Sequence, residues 1–310
     1  MLSSPMMNPP PPASQSDEPH AIPGTRLLPR ARRLAFALTA LALAGLTQAQ
    51  PTSSPPLLDE VPFITSPDNV TLEMLQAARV GPADHLIDLG SGDGRLVIVA
   101  AKRFGATGLG VDIVPDLVDK SLRTAREVGV ADKVAFKVQD LFETDLRPAT
   151  VITLYLLPDF NLKLRPTLLA LKPGTRVVSH DWDMGDWKPD QTTTVPVPDK
   201  KVGLDKSSKV HLWVVPARIE GLWCGAGALR DFSLRVNQHY QEVQATLTRG
   251  DRVREIQGRM AGAVLRTQST RHGSLELTQE GALLRVSGGE GTLAMARGAS
   301  FARASGPTCR

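Results

Sequence analysis

Between Val61 and Pro216 the chain switches repeatedly between short apolar runs and longer amphipathic stretches, and that alternation leaves few folds open. His85–Leu89, Thr107–Val111, Val134–Val138, Val151–Tyr155 and Arg176–Ser179 read as strands. Ser66-Pro67 starts a helix with Val70, Met74, Leu75 and Ala78 on one apolar face; Gly94–Phe104 is helical, and Pro115 opens a third helix running to Val128. Strands separated by helices of this length pair in parallel, with helices on both faces. The expected fold class is therefore α/β, a doubly wound and mostly parallel sheet. In such sheets ligands lie beyond the carboxyl ends of the strands, so the chemistry should follow each strand directly.

The first of those positions reads Asp88-Leu89-Gly90-Ser91-Gly92-Asp93-Gly94. Glycines allow a tight turn and close backbone approach, while the next helix offers unpaired N–H groups. Asp112 ends the second strand about 20 residues later, where a carboxylate accepts both hydroxyls of a ribose. An adenosine-containing cofactor follows. The loop is G-x-G-x-G, one residue shorter than the nicotinamide pattern, and it places Asp88 and Asp93 where a pyrophosphate would meet two carboxylates. A sulfonium and an ammonium are attracted by the same groups, so charge favours S-adenosylmethionine. For Asp93, a helix N-cap and a ligand contact both remain open.

These residues, with Asp140 after the third strand, resemble the successive cofactor motifs of class I S-adenosylmethionine-dependent methyltransferases, over about residues 60 to 216. Val61–Thr65 followed by Asp88–Arg95 resembles more narrowly the family containing the mitochondrial protein-lysine methyltransferase of the ATP synthase c-subunit and its bacterial relatives. The resemblance implies a Rossmann-like methyltransferase sheet. It implies that Gly90, Ser91 and Gly92 cradle the methionine part with Asp88 close by, that Asp112 holds the ribose, that Asp140 and Leu141 border the adenine, and that Thr65 caps the methionine carboxylate. After the fourth strand stands Leu154-Tyr155-Leu156-Leu157-Pro158 rather than the Asn/Asp-Pro-Pro-Tyr of glutamine and adenine methyltransferases, which leaves the acceptor open.

Methyl transfer from a sulfonium is an in-line displacement, so the protein mainly aligns the nucleophile. A lysine acceptor has a reference pKa near 10.4, and presenting its free amine at neutral pH costs about 4.6 kcal/mol. Somewhere must take the proton. The candidates follow the fourth and fifth strands: Tyr155, His180 and Asp181, in the run His180-Asp181-Trp182-Asp183. Lys188–Lys209 is polar and holds Lys200, Lys201, Lys206 and Lys209; a lid, an acceptor loop and a solvated linker all fit it. His211–Val215 reads as a closing strand.

Beyond Pro216 the helical period stops. Phe232–Val236, Val243–Leu247, Ala263–Leu265, Leu275–Leu277, Leu283–Val286 and Leu293–Ala296 are short runs punctuated by glycines, as in a small all-β antiparallel sandwich or barrel. Composition changes at the same place. From Ala217 onward there are 13 arginines, 8 acids and no lysine, whereas Gln50–Pro216 holds 19 basic and 22 acidic residues. The domains expected are thus 1–49, 50–216 and 217–310. A net charge of +4 over 310 residues is too dilute to imply nucleic acid. The six scattered histidines and two cysteines suggest no metal; Cys224 and Cys309 can pair after export.

Residues 1–24 are rich in proline and serine, and read as a disordered tail. Arg26, Arg30, Arg32 and Arg33 precede an apolar run from Leu34 to Leu46, and Thr47-Gln48-Ala49 fits a signal-peptidase site. The run is shorter than the roughly 20 residues that span a bilayer. An exported protein cleaved after about Ala49, periplasmic or envelope-associated and without a stable membrane span, is expected. The functional expectation is a methyltransferase acting on a protein lysine; a small-metabolite methyltransferase and an exported non-catalytic S-adenosylmethionine-binding protein are the alternatives.

Overall fold

The computed structural model describes residues 65–200 and 205–309, all within one unit spanning residues 54–310. The tail, the basic–apolar segment, Val61–Ile64 and Lys201 lie outside the described residues. Helix α1 (Asp68–Ala77) leads into β1 (His85–Leu89), α2 (Arg95–Phe104), β2 (Thr107–Asp112), α3 (Pro115–Glu127) and β3 (Val134–Val138). Then come β4 (Val151–Leu154), α4 (Pro158–Leu169), β5 (Arg176–His180), β6 (Gln191–Pro196) and β7 (Ser207–Val214). The sheet order is β3-β2-β1-β4-β5-β7-β6, with β7 antiparallel to both of its neighbours and β1 to β5 parallel.

Alternation along each strand feeds two apolar layers. Leu86, Val151 and Val178 pack with Val70, Met74 and Val97, so α1 and α2 cover one face. Ile87, Ile152 and Val177 pack with Leu164, Leu168 and Trp213, which puts α4 on the other. The chain order reverses between β1 and β4, and the cleft opens at their carboxyl ends. Helix α2 needs Gly94 at its start: φ is +75°, and a Cβ there would lie 2.7 Å from both Phe136 Cε1 and Ser121 Oγ.

A second sheet follows from β8 (Gly221–Ala226), β9 (Phe232–His239), β10 (Glu242–Arg249), β11 (Arg252–Ala261), β12 (Val264–Thr267), β13 (Leu275–Glu280), β14 (Leu283–Gly289) and β15 (Ser300–Arg303). These eight antiparallel strands close into a barrel through the β15–β8 pairing, so a barrel is formed and not a sandwich. Its interior is filled by Trp223, Leu234, Met260, Leu284, Val286 and Phe301 among others. Cys224 and Cys309 form a disulfide that fastens the end of the chain to β8.

Local features differ from the sequence reading, which has no helix at α4 and no strand at β8 or β15. Leu293–Ala296 belongs to a 3-10 helix, Gly291–Ala296, and not to a strand. The polar stretch from Lys188 contains β6, which pairs along its whole length with β7. Strand β11, ten residues long, has no apolar run to announce it, because most of its first half is exposed and charged. Among the described residues, no helix is long and apolar enough to cross a membrane.

Candidate active site

Parallel pairing sets Asp88 beside Thr153 of β4 and Leu89 beside Val111 of β2, and the loop after β1 is tied to the end of β2. Gly90 and Ser91 both donate their N–H to the Val111 carbonyl at 2.9 Å. Gly92 donates to Asp112 Oδ2 at 2.8 Å, and Val114 donates to Asp112 Oδ1 at 3.0 Å. Gly90, Gly92 and Gly94 all have positive φ, which makes this path possible. A Cβ on Gly90 would approach Leu156 Cδ2 to 3.0 Å.

The result is a cavity of about 550 Å³. Thr65, Asp88, Gly90, Ser91, Gly92, Asp112, Asp140 and Leu141, the eight residues expected to hold the cofactor, all line it. They come from the segment ahead of α1 and from the ends of β1, β2 and β3. Asp140 also accepts from Phe142 N at 2.8 Å, starting the short 3-10 turn that carries Leu141. The Ser91 hydroxyl is buried without a hydrogen-bond partner, beside Gly110, where a Cβ would come within 2.7 Å of it. Asp93 is not the N-cap of α2, a position held by Gly94. Its carboxylate takes two hydrogen bonds from Arg95; burial pushes its pKa up, but Arg95 and Lys120 outweigh that and hold it low.

Three residues that sequence reasoning gave no role belong to this site. Arg95, the first residue of α2, donates from Nη1 to the Ser66 carbonyl at 2.7 Å and so pins the segment bearing Thr65. Ser66 itself lines the cavity. Lys163, on α4, holds its ammonium 3.9 Å from the centre of the Phe142 ring at the cavity wall. Arg95 adjoins the glycine loop and could have been singled out by that position; nothing in the sequence marks Lys163.

Of the three acceptor-side candidates, Tyr155 lines the cavity, while His180 and Asp181 stand behind it. Tyr155 stacks on the His180 ring with centroids 3.9 Å apart, and burial, aided by the Asp181 charge, raises its pKa. His180 is 1% exposed and hydrogen-bonded through both ring nitrogens, to Ser66 Oγ at 2.8 Å and Ser208 Oγ at 2.9 Å. Burial pushes its pKa down to about 4, with Asp181 opposing and Lys200 adding to the shift. Asp181 pairs with Lys200 at 2.7 Å.

These residues suit S-adenosylmethionine. Asp88 is 3% exposed, and among the described residues its one side-chain partner is the Thr153 hydroxyl, a neutral donor at 2.6 Å, so a cation in the cavity would find an uncompensated carboxylate. Asp112 spends two of its roughly four lone-pair positions on backbone N–H groups, and the remaining two match the two hydroxyls of a ribose. The acidic lining disfavours phosphates and favours a sulfonium.

Comparison with known proteins agrees. The ANTKMT methyltransferase domain matches residues 88–191. The protein-lysine N-methyltransferase of Saccharolobus islandicus is 39% identical over 137 residues, which are 44% of this chain and 85% of that protein. The ATP synthase c-subunit lysine N-methyltransferase of Homo sapiens is 32% identical over 167 residues, 51% of this chain and 70% of that protein. Among solved structures, an RNA methyltransferase from Salinibacter ruber in complex with S-adenosyl-L-homocysteine is 51% identical, covering 50% of this chain and 96% of that one, with a TM-score of 0.45.

Fold and cavity therefore define a class I S-adenosylmethionine-dependent methyltransferase. Within that class, the chain belongs to the ANTKMT methyltransferase-domain family, together with the protein-lysine N-methyltransferases just described.

Asp112→Ala should weaken S-adenosylmethionine binding at least tenfold in calorimetry, because hydrogen bonds to a charged acceptor are worth about 1.5–3 kcal/mol each; an unchanged constant in a folded variant would remove Asp112 from the site. A second outcome concerns pH. Burial, with Asp112 and Asp93 nearby and the Thr153 hydroxyl opposing, pushes Asp88 up to about 7. Its ionised form attracts the sulfonium, so binding should tighten several-fold from pH 6 to pH 8, and Asp88→Asn should flatten that dependence. The sign for stability is opposite. Between about pH 4 and 7 the folded chain binds the extra proton, so without ligand this group's contribution to stability falls as pH rises through 7. Thermal unfolding of wild type and Asp88→Asn across that range measures it.

Proposed function

We propose that this enzyme transfers a methyl group to the side-chain amine of a lysine in a protein. The observation that carries the reading is a cavity lined by acids on its donor side and by Tyr155, Leu157, Asp159 and Phe160 after β4, in a chain related to two enzymes named for lysine N-methylation.

When bound, the cofactor supplies an electrophilic methyl group; the chain does the rest. Asp112 would hold the ribose, and the glycine loop would cradle the methionine part. Asp88 lies at the methionine end, where its charge meets the sulfonium and ammonium. Tyr155 lines the wall, and its hydroxyl has no hydrogen-bond partner among the described residues, which leaves it available to orient an incoming amine in line with the methyl. Its raised pKa keeps it a neutral donor and acceptor and not a base at neutral pH. The amine then loses its proton to water or to its own surroundings before attack.

The test is transfer of labelled methyl from S-adenosylmethionine in an extract of the organism of origin. A labelled protein whose digest carries methyl-lysine is expected; label confined to small molecules would refute the reading. Tyr155→Phe should slow transfer about tenfold while leaving cofactor affinity unchanged, since its hydroxyl belongs to the acceptor wall.

Residues 50–216 and 217–310 are further proposed as the catalytic and accessory portions of the mature chain, exported after cleavage behind Ala49. The basic–apolar segment and the Cys224–Cys309 disulfide, a bond that persists in oxidising compartments, support export. N-terminal sequencing of protein from the cell envelope should begin near Gln50; full-length chain confined to the cytoplasm would rule export out.

A further inference from the structure

Behind Tyr155 runs a line of buried polar side chains that belongs to no donor motif. Lys200 Nζ donates to Asp181 Oδ2 at 2.7 Å, and the Lys209 N–H donates to Asp181 Oδ1 at 2.9 Å. Ser208 Oγ, on a residue 1% exposed, lies 3.5 Å from Asp181 Oδ2 and 2.9 Å from His180 Nε2. Ser66 Oγ, on a residue 5% exposed, lies 2.8 Å from His180 Nδ1.

The direction of every bond in this line is set by its charged end. Asp181 Oδ2 stands 3.5 Å from both Ser208 Oγ and His180 Nε2, and because an ionised carboxylate only accepts, it favours a hydrogen from either of them turned toward it. With the Ser208 hydroxyl turned to Asp181 a lone pair faces Nε2, and with Nε2 turned to Asp181 the proton is on Nε2 directly, so both arrangements put the imidazole proton there. Nδ1 is left as the acceptor, and the Ser66 hydroxyl donates to it. We propose that Asp181, directly and through Ser208, fixes His180 as its Nε2–H tautomer, and that His180 in turn holds Ser66, with Thr65 beside it, against the cofactor cavity.

Ser66 is gripped twice, its hydroxyl by His180 and its carbonyl by Arg95 at 2.7 Å. His180 comes from β5, Arg95 from α2 and Ser208 from β7, so three separate elements place one residue of the segment that closes the cavity. The depressed pKa of His180 fits the arrangement, because a neutral ring is what the tautomer requires. His180 and Asp181 are then positioning residues. The proposal rests on the cavity's binding S-adenosylmethionine and is independent of the acceptor.

Calorimetry with S-adenosylmethionine on the full chain tests it. Ser66→Ala and His180→Phe should each weaken binding about five- to tenfold, and the double variant no further than the weaker single, because both remove the same contact. Phenylalanine keeps a ring behind Tyr155. Ser66→Ala is the control that keeps the test decisive if His180→Phe unfolds. Long-range proton–nitrogen spectra of histidine-labelled wild type should show the buried ring protonated at Nε2. The proposal is overturned by unchanged affinity in a folded Ser66→Ala, by additive losses, or by an Nδ1–H ring. It is equally overturned if His180→Phe binds cofactor normally and loses only transfer. The readout is cofactor binding, so an acceptor other than lysine would sink the functional reading without touching this one.

Discussion

One carboxylate receiving two backbone N–H groups organises the donor side. Asp112 accepts from Gly92 and from Val114, joining the turn after β1 to the turn after β2. Its position depends on parallel pairing, which sets Leu89 level with Val111 and Asp88 level with both Gly110 and Thr153. The pairing in turn depends on glycine at Gly110, where a Cβ would meet Phe136 at 2.6 Å and Ser91 Oγ at 2.7 Å. Acids on adjacent strands thereby converge on one cavity. Their mutual repulsion is part of what lifts Asp88, and a bound cation removes it.

How much of this was legible in the sequence follows from what each residue does. Strands β1, β2, β4, β5 and β7 could be read because burial demands apolar runs, and the glycine loop and Asp112 because parallel sheets put ligands at strand ends, whereas Thr65, Asp140 and Leu141 were implied by the family resemblance. Strand β11 could not, since Arg252, Arg254, Glu255 and Gln257 face solvent and hide the alternation. Strand β6 is masked in the same way by Gln191, Thr192 and Thr194. The role of Ser66 was illegible for another reason. It depends on a histidine 114 positions away being buried, and a lone histidine in a sequence carries no sign of its burial.

The barrel is attached to the acceptor side of the sheet rather than strung after it. The turn between β9 and β10 carries Tyr240, which donates to Asp186 at 3.0 Å and tilts over Trp187. Gln241, 2% exposed, donates to the Lys188 carbonyl at 2.6 Å, and Arg259 of β11 pairs with Asp190 at 2.8 Å. From the sheet, Arg165 of α4 reaches the Met184 carbonyl, and Asn161 the carbonyls of Trp182 and Asp183. The connection from β5 to β6 is thus held at successive residues from Trp182 to Asp190, by the barrel at one end and α4 at the other. Met184 and Trp187 anchor this stretch in the apolar layer under α4, and the polar and exposed residues between and around them are fixed by these hydrogen bonds. The barrel supplies part of that rigidity.

Charge then divides the cavity into two tasks that conflict. A donor site for a sulfonium wants carboxylates, and carboxylates keep an approaching lysine protonated by favouring its ammonium. The structure separates the two in depth. Asp88 is buried at the end of β1, while the wall after β4 mixes Tyr155, Leu157 and Phe160 with an exposed acid, Asp159, and with Lys163 on α4. Behind that wall, Asp181 is accounted for by Lys200 and the Lys209 N–H. With the cofactor's positive charge in place, the donor side no longer favours an ammonium. For the proposed lysine acceptor, desolvation beside Tyr155 and Phe160 and repulsion from the sulfonium would both offset the cost of about 4.6 kcal/mol for a free amine at neutral pH. Burying His180 as a neutral ring serves the same end, since a cation there would repel the cofactor, and an acid in its place would hold the proton on the acceptor.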